Sequence, residues 1–135
     1  MKQQSLTNEE RNALVSYRLQ RAKETLKETD ILAKDGHYNA AVNRLYYACY
    51  YAVIALLVKN NITAETHNGV KQMFSLHFFA NEKMDKQYSV FYNRLFNDRI
   101  SGDYDDFVQY DSEMLSEIRP KAEIFINEIE KLLKI

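Results

Sequence analysis

Residues 39–60, NAAVNRLYYACYYAVIALLVKN, carry one arginine and one lysine in twenty-two positions and contain no glycine or proline. Advancing 100° per residue places Val42, Leu45, Cys49, Ala52 and Leu56 on one helical face, and Arg44, Tyr47, Ala48, Tyr51 and Ala55 on the opposite one. A helix that is apolar nearly all round has to be buried nearly all round, so this segment predicts the central helix of its fold. Ala41, Ala48 and Ala55 recur every seven residues as a ridge of small side chains that another helix, or a second subunit, can approach closely. Tyr46, Tyr47, Tyr50 and Tyr51 combine apolar rings with hydroxyls that need partners, which suits a helix edge or an interface better than a dry core.

The whole chain has only 3 Gly and 1 Pro in 135 residues, too few for several β-hairpins, so its other elements should be helices as well. Thr7 and Glu10 form the pattern of a capping box, and a first helix is expected over about 8–34, with Leu14, Tyr17, Ala22, Leu26 and Leu32 inward and Gly36 closing its end. Thr66 is placed to cap a third helix over 67–79, on which His67, Val70, Phe74 and His77 share a stripe. A fourth helix, 84–100, aligns Met84, Tyr88, Phe91 and Leu95, and its stripe continues into Asp98 and Arg99. Asp111 caps a last helix with Met114, Ile118, Phe125, Ile129 and Leu132 inward, which Pro120 should kink or interrupt. The expected architecture is all-α: a single domain over 1–135 folded as an up-and-down bundle of four or five helices.

Net charge is −1, which removes the strong basic field of non-specific DNA binders but leaves room for a local basic patch. The single Cys49 cannot form an intramolecular disulfide and reads as a buried hydrophobe. The N-terminus lacks the apolar core of a signal peptide, and the longest apolar run, Ala48 to Val58, is short for a bilayer; a cytoplasmic protein without a membrane partner is expected. No zinc spacing, phosphate-binding glycine loop or nucleophile elbow is present, and His67 and His77, about 15 Å apart along a helix, cannot share a metal ion. No metal, no cofactor and no catalytic residue is expected from these patterns.

Arg99, at the end of a core stripe, is the charged residue whose place asks for a reason, because a guanidinium is rarely buried without an anionic partner. Two partners are open: Asp98, Asp103, Asp105 or Asp106 could pin it, or Arg99 with Arg44 could face a groove and hold a phosphate. Six acidic and no basic residues between Asp103 and Glu117 oppose a phosphate there unless they point away.

The segments YNAAVNRLYYACYYAVIALL, HNGVKQMFSLHFF and YNRLFNDRISGDYDDF, in this order and followed by an amphipathic helix, resemble the HEPN domain (higher eukaryotes and prokaryotes nucleotide-binding) over nearly the whole chain. The resemblance implies a helical bundle like the substrate-binding subunits of nucleotidyltransferases. It also implies a homodimer, and a minimal nucleotidyltransferase as partner in a toxin–antitoxin-like pair. Many such proteins are metal-independent endoribonucleases that use an arginine and a histidine four to six residues apart. Here Tyr104 stands where that histidine is expected, and all three histidines lie upstream of Arg99. What carries over is Arg99 as the motif arginine, and Asp103 and Tyr104 as the Asp-Tyr that follows it in a non-nuclease branch. Arg99, Tyr104, Arg44, Tyr47 and Asp103 are therefore the candidate ligand- or nucleotide-binding residues of a non-catalytic module that takes a nucleotide or RNA. The alternatives are an endoribonuclease pairing Arg99 with His67 or His77, and a dimerisation scaffold without a ligand.

Overall fold

The computed structural model describes residues 5–104 and 109–134, with side chains except those of residues 100–104. Five helices follow one another, α1 (Asn8–Lys34), α2 (Tyr38–Lys59), α3 (His67–Phe78), α4 (Lys86–Tyr104) and α5 (Ser112–Leu133), and no strand occurs among the described residues. The chain is an all-α bundle.

Local chemistry sets the helix ends. The Thr7 hydroxyl accepts the Glu10 N–H at 3.0 Å while the Glu10 carboxylate accepts the Thr7 N–H at 2.9 Å, a complete capping box. At the other end of α1, Gly36 adopts φ +80° and donates to the Ala33 carbonyl at 3.0 Å, and His37 donates to the Leu32 carbonyl at 2.9 Å. That paired closure turns the chain sharply into α2. Asp111 caps α5 by accepting the Met114 N–H at 2.9 Å.

Helix α2 packs against each of the other four helices and buries eleven of its twenty-two residues. Ala41, Ala48 and Ala55 are fully covered within the single chain, so the small-residue ridge is occupied by the protein's own helices. By length and composition α2 is long and apolar enough to cross a membrane, longer than the run Ala48–Val58 suggested because tyrosines and alanines extend it N-terminally. Its apolar surface is directed into the bundle, and 61% of its most apolar window is buried there.

Four expectations about the helices need correction. Tyr17 is 63% exposed, because α1 turns Val15, Ala22, Thr25, Leu26 and Thr29 toward α2. Thr29 is tolerated inside because its hydroxyl donates to the Thr25 carbonyl at 3.2 Å. Leu133, not Leu132, closes the core of α5. Pro120 does not interrupt α5, which continues from Ser112 to Leu133. The Ser116 carbonyl, left without its helical donor by the proline, belongs to an exposed residue on the solvent side. Helix α4 runs on to Tyr104, so Arg99 lies within the helix and not at its end.

Leu45, with no exposure, and Tyr17, mostly exposed, give a direct test of this packing. Leu45→Ala should cost about 2–5 kcal/mol in urea unfolding, whereas Tyr17→Ala should stay within about 0.5 kcal/mol of the parent.

Candidate functional site

Arg99 is half-buried on α4, with its guanidinium carbon 5.2 Å from the centre of the Tyr46 ring. A cation over an aromatic face is attracted by the ring quadrupole, and the attraction grows when water is excluded. Tyr110 links the α4 backbone beside Arg99 to the start of α2. The Tyr110 hydroxyl donates to the Asp98 carbonyl at 2.7 Å, and the Tyr110 N–H donates to Asn39 Oδ1 at 2.8 Å at the start of α2.

Tyr46 itself has no exposure, and burial pushes its phenol up to about 12, with nearby Arg99 acting in the opposite direction. The hydroxyl therefore stays protonated and needs a partner, which it finds in His67 Nδ1 at 2.9 Å. His67 opens α3, where Thr66 caps the helix by accepting the Gly69 N–H at 2.9 Å. A Cβ at Gly69 would stand 3.0 Å from that same Thr66 oxygen, a tight approach that glycine relieves. Tyr50 stacks on the imidazole with centroids 4.4 Å apart and Tyr47 meets it edge-on at 5.6 Å, so the ring is gripped on two sides. Burial, and then the Arg99 charge, lower the His67 pKa below its ordinary 6.5, which leaves the imidazole neutral near pH 7. The direction of the Tyr46–His67 bond decides what Nε2 offers: a donor if the phenol donates to Nδ1, a lone pair if Nδ1–H donates to the phenol.

The predicted residues are thus only partly brought together. Tyr47 borders the imidazole, while the Arg44 guanidinium lies 5.4 Å from the Tyr47 ring and is ion-paired to Glu28 of α1 at 3.3 Å. Arg44 is consequently a clamp between α1 and α2, and no structural observation joins it to Arg99 as a second phosphate ligand. Asp98, one of the acids offered to Arg99, is bound by Arg94 one turn earlier at 3.6 Å. The side chains of Asp103 and Tyr104, and all of Asp105 and Asp106, lie outside the described residues. His77 takes no part in the cluster, ten positions further along α3. Tyr46 was read as an edge or interface tyrosine; it is the buried platform on which Arg99 and His67 meet, a correction that follows from a hydroxyl satisfied internally. The described residues hold no group of three His, Cys, Asp or Glu side chains placed for a metal ion.

Comparison with known proteins shows the family. Residues 15–132 match the family described as the HEPN domain. The UPF0332 protein of Thermotoga maritima is 37% identical over 93% of this chain and 95% of its own length. Two Methanocaldococcus jannaschii proteins, each named a "putative toxin", are 30% and 34% identical, over 85% and 84% of this chain and 78% and 84% of their own lengths.

The lowered His67 pKa has a measurable consequence. In an NMR titration the His67 midpoint should fall below 6.5 and rise again in Arg99→Gln, because the neighbouring positive charge is removed. The unfolded chain then binds the extra proton more readily than the folded one. Stability contributed by neutral His67 is therefore complete above pH 6.5 and declines as the pH drops below it, a slope that His67→Gln should flatten in thermal melts.

Proposed function

The chain belongs to the HEPN domain family, and on that premise we propose that it is a nucleotide- or RNA-binding module of a toxin–antitoxin-like pair, with Arg99 as the phosphate ligand. One observation carries this reading: the Arg99 guanidinium is held over the ring of a buried tyrosine whose hydroxyl is bonded to a neutral histidine. A guanidinium fixed on a ring loses little freedom when its fork of donors meets a phosphate. Tyr47 and Tyr50, half-buried beside His67, offer the aromatic faces on which unstacked bases are commonly held. With net charge −1, such binding draws on this local patch and not on a field of the whole molecule. The working assembly in this proposal is a homodimer, with a minimal nucleotidyltransferase as its partner; the toxin names of two relatives favour a paired system.

A second reading is supported by the neutral imidazole near Arg99. In a metal-independent endoribonuclease, His67 Nε2 would take the ribose 2′-hydroxyl proton as that oxygen attacks phosphorus. The 5′-oxygen would leave and acquire a proton from water, and Arg99 would stabilise the phosphorane. This route requires Nδ1–H to donate to the Tyr46 oxygen, so that Nε2 keeps its lone pair. Binding works with either tautomer, which is why it is preferred.

Fluorescence anisotropy with a short single-stranded RNA tests both readings. The parent should bind and leave the strand intact, and Arg99→Ala should weaken binding about tenfold, the equivalent of about 1.4 kcal/mol. Cleavage that disappears in His67→Gln would establish the enzyme instead. An Arg99→Ala protein that melts lower while the parent binds no RNA would leave only the scaffold.

A further inference from the structure

One stripe of α2 leads away from the Arg99 cluster toward the opposite end of the bundle. Tyr46, Tyr50, Ile54 and Val58 succeed one another every four residues and span about 18 Å of helix rise. Beside the far half of this stripe lies a cleft of about 330 Å³, lined by Arg11 and Arg18 of α1 together with Tyr50, Ile54, Leu57 and Val58. Tyr50 belongs to both places: it lines the cleft and stacks on His67 at 4.4 Å.

The two arginines differ from the others described along α1. Arg21 lies 3.9 Å from Glu28, whereas neither Arg11 nor Arg18 forms an ion pair with any carboxylate among the described residues. Arg18 donates to the Ile54 carbonyl at 3.4 Å, which commits one of its five N–H groups. Arg11 reaches the Asn8 and Asn61 side-chain oxygens at 3.4 and 3.3 Å, and its Nε is buried without an acceptor among the described residues. A second depression continues from the cleft past Arg11 to Lys59. Two guanidiniums with spare donors over an apolar and aromatic floor match a ligand that is anionic at one end and flat at the other. A nucleotide has that chemistry, its phosphate satisfying the arginines and its base lying against Tyr50 and Ile54.

We infer that the Arg11–Arg18 cleft holds a further nucleotide of the strand bound at Arg99, so that a single RNA strand follows the α2 stripe from α4 to α1. The inference rests on the RNA-binding reading of the Arg99 cluster and adds to it a second phosphate subsite, formed by α1. Chemically the cleft recognises a nucleotide phosphate, whether in a strand or free.

Binding of a five-nucleotide oligouridine is measured against salt concentration, alongside adenosine monophosphate, for the parent and for Arg11→Ala, Arg18→Ala, Arg18→Lys and Arg99→Ala. The two alanine variants in the cleft should each lose about tenfold in RNA affinity and lower the slope of log K against log salt by about 0.7, one phosphate contact on a single strand. Arg18→Lys keeps the charge and loses the fork, so it should retain the slope while binding more weakly. Melting curves verify that each variant is folded. If Arg11 and Arg18 variants match the parent in affinity and slope while Arg99→Ala binds less, the cleft assignment is wrong and the Arg99 reading survives. If the parent ignores RNA but binds the mononucleotide in an Arg18-dependent way, the Arg99 reading is wrong and the cleft is a free-nucleotide site. If neither ligand binds, both are overturned.

Discussion

The hydroxyl of Tyr46 is the polar group around which the site is organised. Its ring lies wholly inside the bundle, where an unpaired phenol would cost about 1–3 kcal/mol. One partner is His67 at the first position of α3, so satisfying the core also ties the start of α3 to the central helix. The ring's π-face is equally consequential, because Arg99 of α4 is held against it. Two helices, α3 and α4, thus converge on one side chain of the central helix, and a residue needed for packing becomes the platform of the candidate site. Tyr92 and Phe96 of α4 surround the same ring, which ties the position of Arg99 to the hydrophobic packing of its own helix.

Charge pairing, more than composition, shapes the electrostatic surface. Arg119 grips Asp30 through two hydrogen bonds of 2.7 and 2.9 Å and also reaches Glu123 at 2.9 Å, so α5 is pinned to α1 and that cation is neutralised. Arg44 and Arg21 share Glu28, and Arg94 is met by Asp98 and Glu117. Arg11 and Arg18 have amide and carbonyl oxygens in place of carboxylates. Among the described arginines, therefore, Arg21, Arg44, Arg94 and Arg119 are paired with carboxylates, while Arg11 and Arg18 face an α1–α2 cleft without one. A paired guanidinium must first give up its partner before it can take an anion.

Much of the fold was readable from local rules. Thr7–Glu10, Gly36, Thr66 and Asp111 marked helix ends because caps depend on a few adjacent residues. The centrality of α2 followed from an apolar pattern with no aqueous side. Tyr17 and Leu132 were misplaced because periodicity defines an apolar face only to within a residue or so of rotation, and tertiary packing chooses among neighbours. The site was less legible. Arg99 stood out as a charge on a core stripe, but its contact with His67 of α3 through Tyr46 joins three separate stretches of sequence. Arg44 looked like a second anion ligand, since nothing local reveals that Glu28, sixteen residues upstream, would bind it. Arg11 and Arg18 share a face by their seven-residue spacing, yet that spacing alone does not distinguish a cleft from a solvated surface.

The relation between Arg99 and His67 separates binding from catalysis in physical terms. The family resemblance leads one to expect a histidine shortly after the arginine on the same helix, and Tyr104 occupies that place. His67 restores an imidazole to the neighbourhood by way of the fold, but it does so through a bond that the buried Tyr46 requires. If the phenol donates, Nε2 carries the ring proton and the histidine becomes a second donor toward an anion held by Arg99. If Nδ1–H donates, the phenol hydrogen must find another acceptor within a buried aromatic cluster. Tyr92, whose ring lies 5.9 Å from that of Tyr46, offers such an acceptor in its own buried hydroxyl, so the core can be satisfied with either direction of the Tyr46–His67 bond. The direction of that one bond therefore decides whether Nε2 of His67 is a donor or a lone pair, and with it whether the imidazole is suited to holding an anion or to accepting a proton.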